Sequence, residues 1–288
     1  MSYLLHLATF FGIYAILGVS LNLLIGYTGL VWIAHAATFA VGAYAGALFA
    51  TKLALNFFLA MLLAMLVAGI LGSLTGWIFS RLGGDYYMLA SVSWNYIVVS
   101  VLINWESLTN GPLGISGIPK PSLGELSFAE PTKFFLLTLV LLGIVYAAAR
   151  FITNSSFGRV IKAIREDEQA AKVFGYNTLM YKVAISGMGA AMAGIAGVLL
   201  ASYIGFVDPS SFDVMESIFI LAIVVVGGFA NIRGSLVGAL ALVLLPELLR
   251  FAGFPAEIAA HVRLGLYGLA LILFMLYRPQ GIIGEYKF

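Results

Sequence analysis

Nine apolar stretches occupy most of this chain, near residues 3–26, 29–51, 55–80, 86–104, 132–152, 178–203, 215–229, 234–251 and 263–278. That pattern constrains the fold more than any single residue does. A helix of about 20 mostly apolar residues crosses a hydrocarbon core roughly 30 Å thick. Inside such a core every backbone N–H and C=O must find a partner within the protein, so helices are the form these stretches take. The second and seventh are interrupted by glycines and polar residues and are the least complete as crossings. Interruptions are tolerated where the backbone faces protein or a water-filled cavity. Composition excludes water as the main solvent: 62% of the 288 residues are hydrophobic and 10% are charged. Soluble domains carry about 25% charged residues. The 28 charged side chains (15 basic, 13 acidic) could not cover a soluble fold of this length. The expected fold is all-α and polytopic, a single membrane domain over residues 1–288 with about nine segments, some broken or re-entrant.

A formal charge of +2 with no basic stripe argues against nucleic-acid binding. With no cysteine there is no thiolate metal site and no disulfide, and no metal or catalytic site is expected. The start lacks a basic leader region, so the first stretch reads as a retained span.

Two stretches are too polar to span: 105–131, rich in Pro, Gly and Ser, and 153–177, with a dense charge cluster. Placing the N-terminus outside and the C-terminus in the cytoplasm puts ten of the 15 Lys and Arg residues on the inner side, as the positive-inside rule favours. The outer loop 105–131, with Glu106, Glu125 and Glu130, then offers a platform or an ordered connector. Gly42 and Gly46, Gly72 and Gly76, and Gly234 and Gly238 are spaced GxxxG in apolar runs, which predicts close helix contact within the chain or at a dimer face.

In 153–177, Asn154-Ser155-Ser156 supplies N-cap side chains for a helix. Phe157, Val160, Ile161 and Ile164 recur at helical spacing, followed by the charge run Arg165-Glu166-Asp167-Glu168 and a stop near Gly175. A loop that only fixed topology would not need caps, an apolar stripe and clustered charge. A helix that fits a groove on a soluble partner would.

The stretch SSFGRVIKAIREDEQAAKVFGYNTLMYK resembles the cytoplasmic loop of permease subunits of branched-chain amino-acid ABC importers. So do GYTGLVWIAHAATFAVGAYAGAL (26–48), LTNGPLGISGIP (108–119) and ASYIGFVDPSSFDVMESIFILAIVVVGGFANIRGSLVGAL (201–240), in family order along nearly the whole chain. His-Ala-Ala at 35–37 and Arg-Glu-Asp-Glu at 165–168 are similar to the LivM-type subunit, not its LivH-type partner. The resemblance implies an inner-membrane heterodimer with a LivH-type permease, two cytoplasmic ATPase subunits and a periplasmic substrate-binding protein. It makes 153–177 a coupling-helix region. Phe157, Gly158, Arg159, Ile161, Ile164, Arg165, Glu166, Asp167 and Glu168 would then dock an ATPase, with Gly158 permitting close approach. The chain has no GxxxxGK[ST] loop, so ATP belongs to the partner subunits and the chain holds no cofactor of its own.

A zwitterion crossing hydrocarbon needs a polar passage, because its charged groups lose hydration there. Asn22, His35, Thr38, Ser91, Ser93, Trp94 and Asn95 are polar or amphipathic groups in apolar spans and are the expected lining, with Asn104 near a span end. Ser91–Asn95 lead, and interhelical hydrogen bonding is their structural alternative. His35 is either hydrogen-bonded structure or a functional ionisable group. A secondary carrier coupled to ions or protons would also explain broken, glycine-rich spans, but the sequence offers no convincing buried carboxylate for it. Relatives that carry urea, amides or aromatic acids stay open as substrate alternatives. An intramembrane enzyme ranks last, with neither HExxH nor GxSxG present.

Overall fold

The computed structural model describes residues 2–123, 126–251, 256–278 and 280–283. Glu125 and the final residues of the chain lie outside these. The helices are α1 (Ser2–Thr28), α2 (His35–Thr51), α3 (Phe57–Phe79), α4 (Asp85–Asn104), α5 (Glu106–Thr109), α6 (Pro131–Asn154), α7 (Ser156–Glu166), α8 (Glu168–Val173), α9 (Thr178–Ile204), α10 (Val214–Gly227), α11 (Ile232–Phe251) and α12 (Ala256–Tyr277). Four two-residue strands complete the regular structure: β1 (Ile115–Ser116), β2 (Ser122–Leu123), β3 (Leu126–Ser127) and β4 (Phe206–Val207). The chain is an all-α polytopic membrane protein.

Five helices, α1, α3, α4, α6 and α9, are long and apolar enough to cross a membrane, and α10 with α11 makes a sixth if that pair is one span. The pair bends by 120° at its junction. Nine apolar stretches were expected to cross, and the lengths are shorter where the sequence is interrupted. The stretch 29–51 contributes a helix of 17 residues, α2, preceded by six non-helical residues, the first two of which bond back to carbonyls of α1. The stretch 215–229 contributes the 14 residues of α10.

Helix α9 is the axis of the bundle, with α1, α2 and α3 against it. Small residues make this possible. A Cβ on Gly42 of α2 would sit 2.3 Å from the Gly194 Cα of α9, and one on Gly72 of α3 would sit 2.2 Å from the Ala190 Cβ. A Cβ on Gly238 of α11 would meet the Ile223 carbonyl of α10 at 2.0 Å. All three GxxxG pairs therefore serve packing within the chain. Lipid tails are as apolar as leucine, so backbone proximity and dispersion hold such helices together.

At one end of the bundle, α7 and α8 lie against the C-terminal end of α1 and the start of α9. At the other end, the connector 105–131 is tied to the end of α9. There β1 pairs antiparallel with β4 in the register Ile115↔Val207, the Ile118 N–H donates to the Gly205 carbonyl (3.3 Å), and Lys120 donates to the Tyr203 carbonyl.

Candidate functional site

Two features carry polar chemistry: a buried network around residues 29–36, and the helix pair α7–α8. Helix α1 ends at Gly29, whose φ of +72° suits glycine. Residues 29–34 then run as a non-helical strap back into the bundle, where α2 begins at the buried His35. A backbone without helical bonds in an apolar interior leaves N–H groups that side chains must satisfy. The Ile33 N–H donates to Ser91 Oγ (3.0 Å), and the Ala36 N–H to Ser217 Oγ (2.9 Å). Ser217 in turn donates to Asn95 Oδ1 (3.0 Å), whose Nδ2 donates to the Phe212 carbonyl (3.1 Å). Ser20 Oγ lies 2.7 Å from His35 Nε2 and donates its one proton to the Leu17 carbonyl, which makes the imidazole the donor in that pair. Trp32 wedges between Phe79 and Tyr87, with ring centroids 5.9 and 6.1 Å away. Trp32 Nε1 and His35 Nδ1 are buried without a hydrogen-bond partner among the described residues.

The expected lining residues thus divide. Ser91 and Asn95 lie one helical turn apart on the buried face of α4, with their bonds spent on the strap, on Ser217 and on the 212 carbonyl. Ser93 lies on the exposed face, bonded to the Leu89 carbonyl (3.0 Å), and Trp94 is half-buried against Phe79. Thr38 donates back to the His35 carbonyl (2.7 Å). Asn104, at the end of α4, is exposed and bonds the Ser100 carbonyl. Asn22 sits elsewhere, at the α10–α11 bend. Its Nδ2 faces the Gly228 and Asn231 carbonyls (3.2 and 3.0 Å) and Ser235 Oγ (2.7 Å), and its Oδ1 accepts the Ala230 N–H (3.0 Å). That side chain satisfies the backbone groups that the reversal frees. Ser20, Ser217 and Ser235 were missed by sequence reasoning. The available signal was a lone hydroxyl inside an apolar run.

Helix α7 forms as its sequence dictates. Ser155 Oγ accepts the Gly158 N–H (3.2 Å), and Val160, Ile161 and Ile164 are buried on one face. That face packs on the chain's own bundle. Gly158 is needed there because a Cβ would meet the Thr153 carbonyl oxygen at 2.2 Å. Asp167 caps α8, accepting the Gln169 and Ala170 N–H groups (2.8 and 2.9 Å). Glu168 takes the Lys182 ammonium (2.5 Å) and the Thr178 hydroxyl (2.9 Å), with Lys172 at 3.2 Å. Partial burial pushes the Glu168 pKa up, but the bonds from Lys182 and Thr178 outweigh it and hold the carboxyl below its ordinary range. Arg165, half-buried, donates to the Gly26 carbonyl at the end of α1, and the Lys162 ammonium lies 5.4 Å from the Tyr27 ring centroid. Phe157 packs on Tyr181 at 5.1 Å. Of the expected docking residues, Arg159 and Glu166 are exposed, as is Asp167 despite its capping role. Sequence reasoning missed Val173 and Phe174, which close α8 with 87% and 80% of their surface exposed. An apolar pair just ahead of the helix-ending Gly175 was the signal for them.

Two open cavities flank this core. One of about 270 Å³ opens beside α7 and is lined by Gly29, Val31, Asp85, Arg165, Glu168 and Lys182, among others. The other, about 520 Å³, lies at the opposite end between the start of α1 and α10, with Tyr3, His6, Asp213, Glu216 and Glu247 in its wall. Between them, the space bounded by Trp32, His35, Thr38 and Ser186 is too small for a water molecule.

Residues 3–275 match the family described as branched-chain amino acid transport system, permease component. The chain is 34% identical to the high-affinity branched-chain amino acid transport system permease protein LivM of Salmonella typhimurium, over 96% of this chain and 69% of the relative. It is 27% identical to the probable LivM permease of Methanocaldococcus jannaschii, over 96% and 91% of the two chains. It is also 26% identical to the LivH permease of Salmonella typhimurium, over 94% and 91%. No solved structure matches the chain.

Proposed function

The chain belongs to the family of permease components of branched-chain amino acid transport systems, and on that premise we propose that it forms half of the translocation unit of an ATP-driven importer. The cargo is a branched-chain or related amino acid, delivered by a periplasmic binding protein. The other half of the unit is a LivH-type permease, and two ATPase subunits bind at the cytoplasmic side. The observation that carries this reading is the α7–α8 pair, capped, braced by Lys182 and Arg165, and ending in the exposed Val173 and Phe174. An amphipathic element fixed to a membrane bundle and holding out two apolar side chains suits a groove on a soluble partner.

The docking surface that follows differs from the one expected from sequence alone. Val173 and Phe174 are the apolar anchors, and Arg159 and Glu166 make polar contacts beside them. Val160, Ile161, Ile164, Gly158, Arg165 and Glu168 attach the element to its own bundle. On this reading the α7 end is cytoplasmic, the nine apolar stretches make nine passes, and the N-terminus lies outside. The support for placing the two ends of the chain on opposite sides is a contact past α12. The Ile282 and Ile283 N–H groups, past α12, bond the Val226 and Gly227 carbonyls at the end of α10, far along the bundle from the start of α1.

Purification of the tagged chain from native membranes, followed by reconstitution, tests the function. Recovery with a second permease and ATPases, and leucine uptake that requires ATP and the binding protein, are the expected results. Uptake by the chain alone without ATP would establish a secondary carrier instead. ATP-dependent uptake of urea, an amide or an aromatic acid in place of leucine would keep the importer and reassign the substrate. In the same preparation, Phe174→Ala lowers ATPase affinity by about tenfold, the size of a buried aromatic anchor at an interface. Unchanged affinity would remove these side chains from the docking surface.

A further inference from the structure

We infer that residues 29–34 are a plug in the inner half of the chain, and that Arg165 is the link through which the α7–α8 element moves it. This rests on the importer reading for the role of α7–α8, and the geometry supplies the rest.

The strap separates two spaces. Gly29 and Val31 line the open 270 Å³ cavity beside α7, whereas Trp32 and His35 line the closed space behind it, which is too small for a water molecule. A segment of non-helical backbone is an unusual thing to place there, since helices satisfy their own backbone in an apolar interior. The N–H groups of Gly29 and Leu30 turn back to the Ile25 and Leu24 carbonyls of α1 (both 3.1 Å), the Ile33 N–H borrows Ser91, and just past the strap the Ala36 N–H borrows Ser217. Two buried polar atoms, Trp32 Nε1 in the strap and His35 Nδ1 just after it, have no partner among the described residues. Native interiors rarely leave such groups unpaired. The strap is therefore one of the incompletely satisfied parts of the core (the buried Tyr44 hydroxyl is another), and between Val31 and Ala34 the one side-chain bond to its backbone N–H groups among the described residues is that of Ser91 to Ile33.

The connection to α7 is direct. Arg165 donates to the carbonyl of Gly26, three residues before the strap begins. Its side chain also lies against Gly29 itself, where an added Cβ would be 3.1 Å from Arg165 Cγ and 3.7 Å from Arg165 Cβ. The Lys162 ammonium over Tyr27 holds the same turn of α1. A displacement of α7 by a bound ATPase thus reaches the start of the strap through one side chain. Arg165 is in this sense a positioning residue, with the docking contacts left to the exposed end of α8.

The full importer complex in liposomes tests the link, and the absence of native cysteine makes a single cross-link interpretable. Arg165→Gln leaves ATPase association and basal ATP hydrolysis near wild type, while uptake per ATP falls about tenfold, within the usual range of coupling between sites. A parallel loss of association would make Arg165 a docking residue and overturn the inference; unchanged uptake per ATP would do the same. The double variant Gly29→Cys with Arg165→Cys places two Cβ atoms within disulfide range. Because the strap start and α7 move together, the oxidised pair transports at least as well per ATP as the reduced pair. Transport that fails on oxidation and returns on reduction would show that the strap slides past α7, against the inference. If the wild-type complex itself shows no ATP-dependent uptake, the proposed function has failed instead, and the two failures are distinct.

Discussion

Replacing Asn22 tests whether it is a structural staple or a lining residue. Its carboxamide serves the Gly228 and Asn231 carbonyls, Ser235 Oγ and the Ala230 N–H at the 120° bend between α10 and α11. The Ala230 N–H is the critical group: with Asn22→Ala it loses its acceptor at a part-buried turn packed against α1. An unsatisfied buried donor costs about 1–3 kcal/mol, and the lost bonds to the two carbonyls add on the order of 1 kcal/mol more. The expected loss of stability is roughly 2–4 kcal/mol. Asn22→Asp is the sharper variant. It keeps an acceptor for Ala230, but turns a carboxylate oxygen toward two carbonyl oxygens where an amide had donated. It should therefore be worse than alanine, although it is closer in shape. Thermal unfolding in mild detergent, with limited proteolysis of the 228–231 turn, gives the order wild type, then Ala, then Asp. An Asp variant as stable as wild type would refute the staple. So would an Ala variant of normal stability whose only defect is in uptake.

The helix seams make a paired prediction. Gly42→Ala forces a Cβ to within 2.3 Å of the Gly194 backbone and destabilises the bundle by about 1–3 kcal/mol or more. Gly143→Ala in α6, where a Cβ meets nothing within 4 Å, is neutral or gains up to about 1 kcal/mol of helix propensity. Fluorescence-detected size exclusion after heating separates the two. The Glu168 carboxyl, held below its ordinary range by Lys182 and Thr178, gives a pH prediction. A depressed carboxylate stabilises the folded state above its unfolded pKa of about 4.3, and that contribution fades as pH falls through the lower folded value. Acidification below about pH 4 should therefore expose residues 167–177 to an acid-active protease, and Glu168→Gln should remove the pH dependence.

Much of the plan was legible in the sequence because it rests on local or repeating signals. Apolar runs determined the membrane class and the long helices α1, α3, α4, α6 and α9. The Ser155 cap and the 157–164 stripe determined α7, and GxxxG spacing determined where helices approach closely. Which face meets what was decided by tertiary structure alone. Helical periodicity marks Val160, Ile161 and Ile164 as one apolar face, but an apolar face fits a partner's groove and its own bundle equally well. Only the position of α1 and α9 turned it inward and left Val173 and Phe174 outside. Polarity likewise marked Ser91, Asn95 and Asn22 as special within apolar spans. Their partners, the Ile33 N–H, Ser217 and the 228–231 turn, lie 58 to 209 residues away in sequence. A hydrogen bond in a membrane interior is obligatory, so the sequence announces that a partner exists. Which group that partner is depends on how the chain is folded back, and no local pattern carries that information.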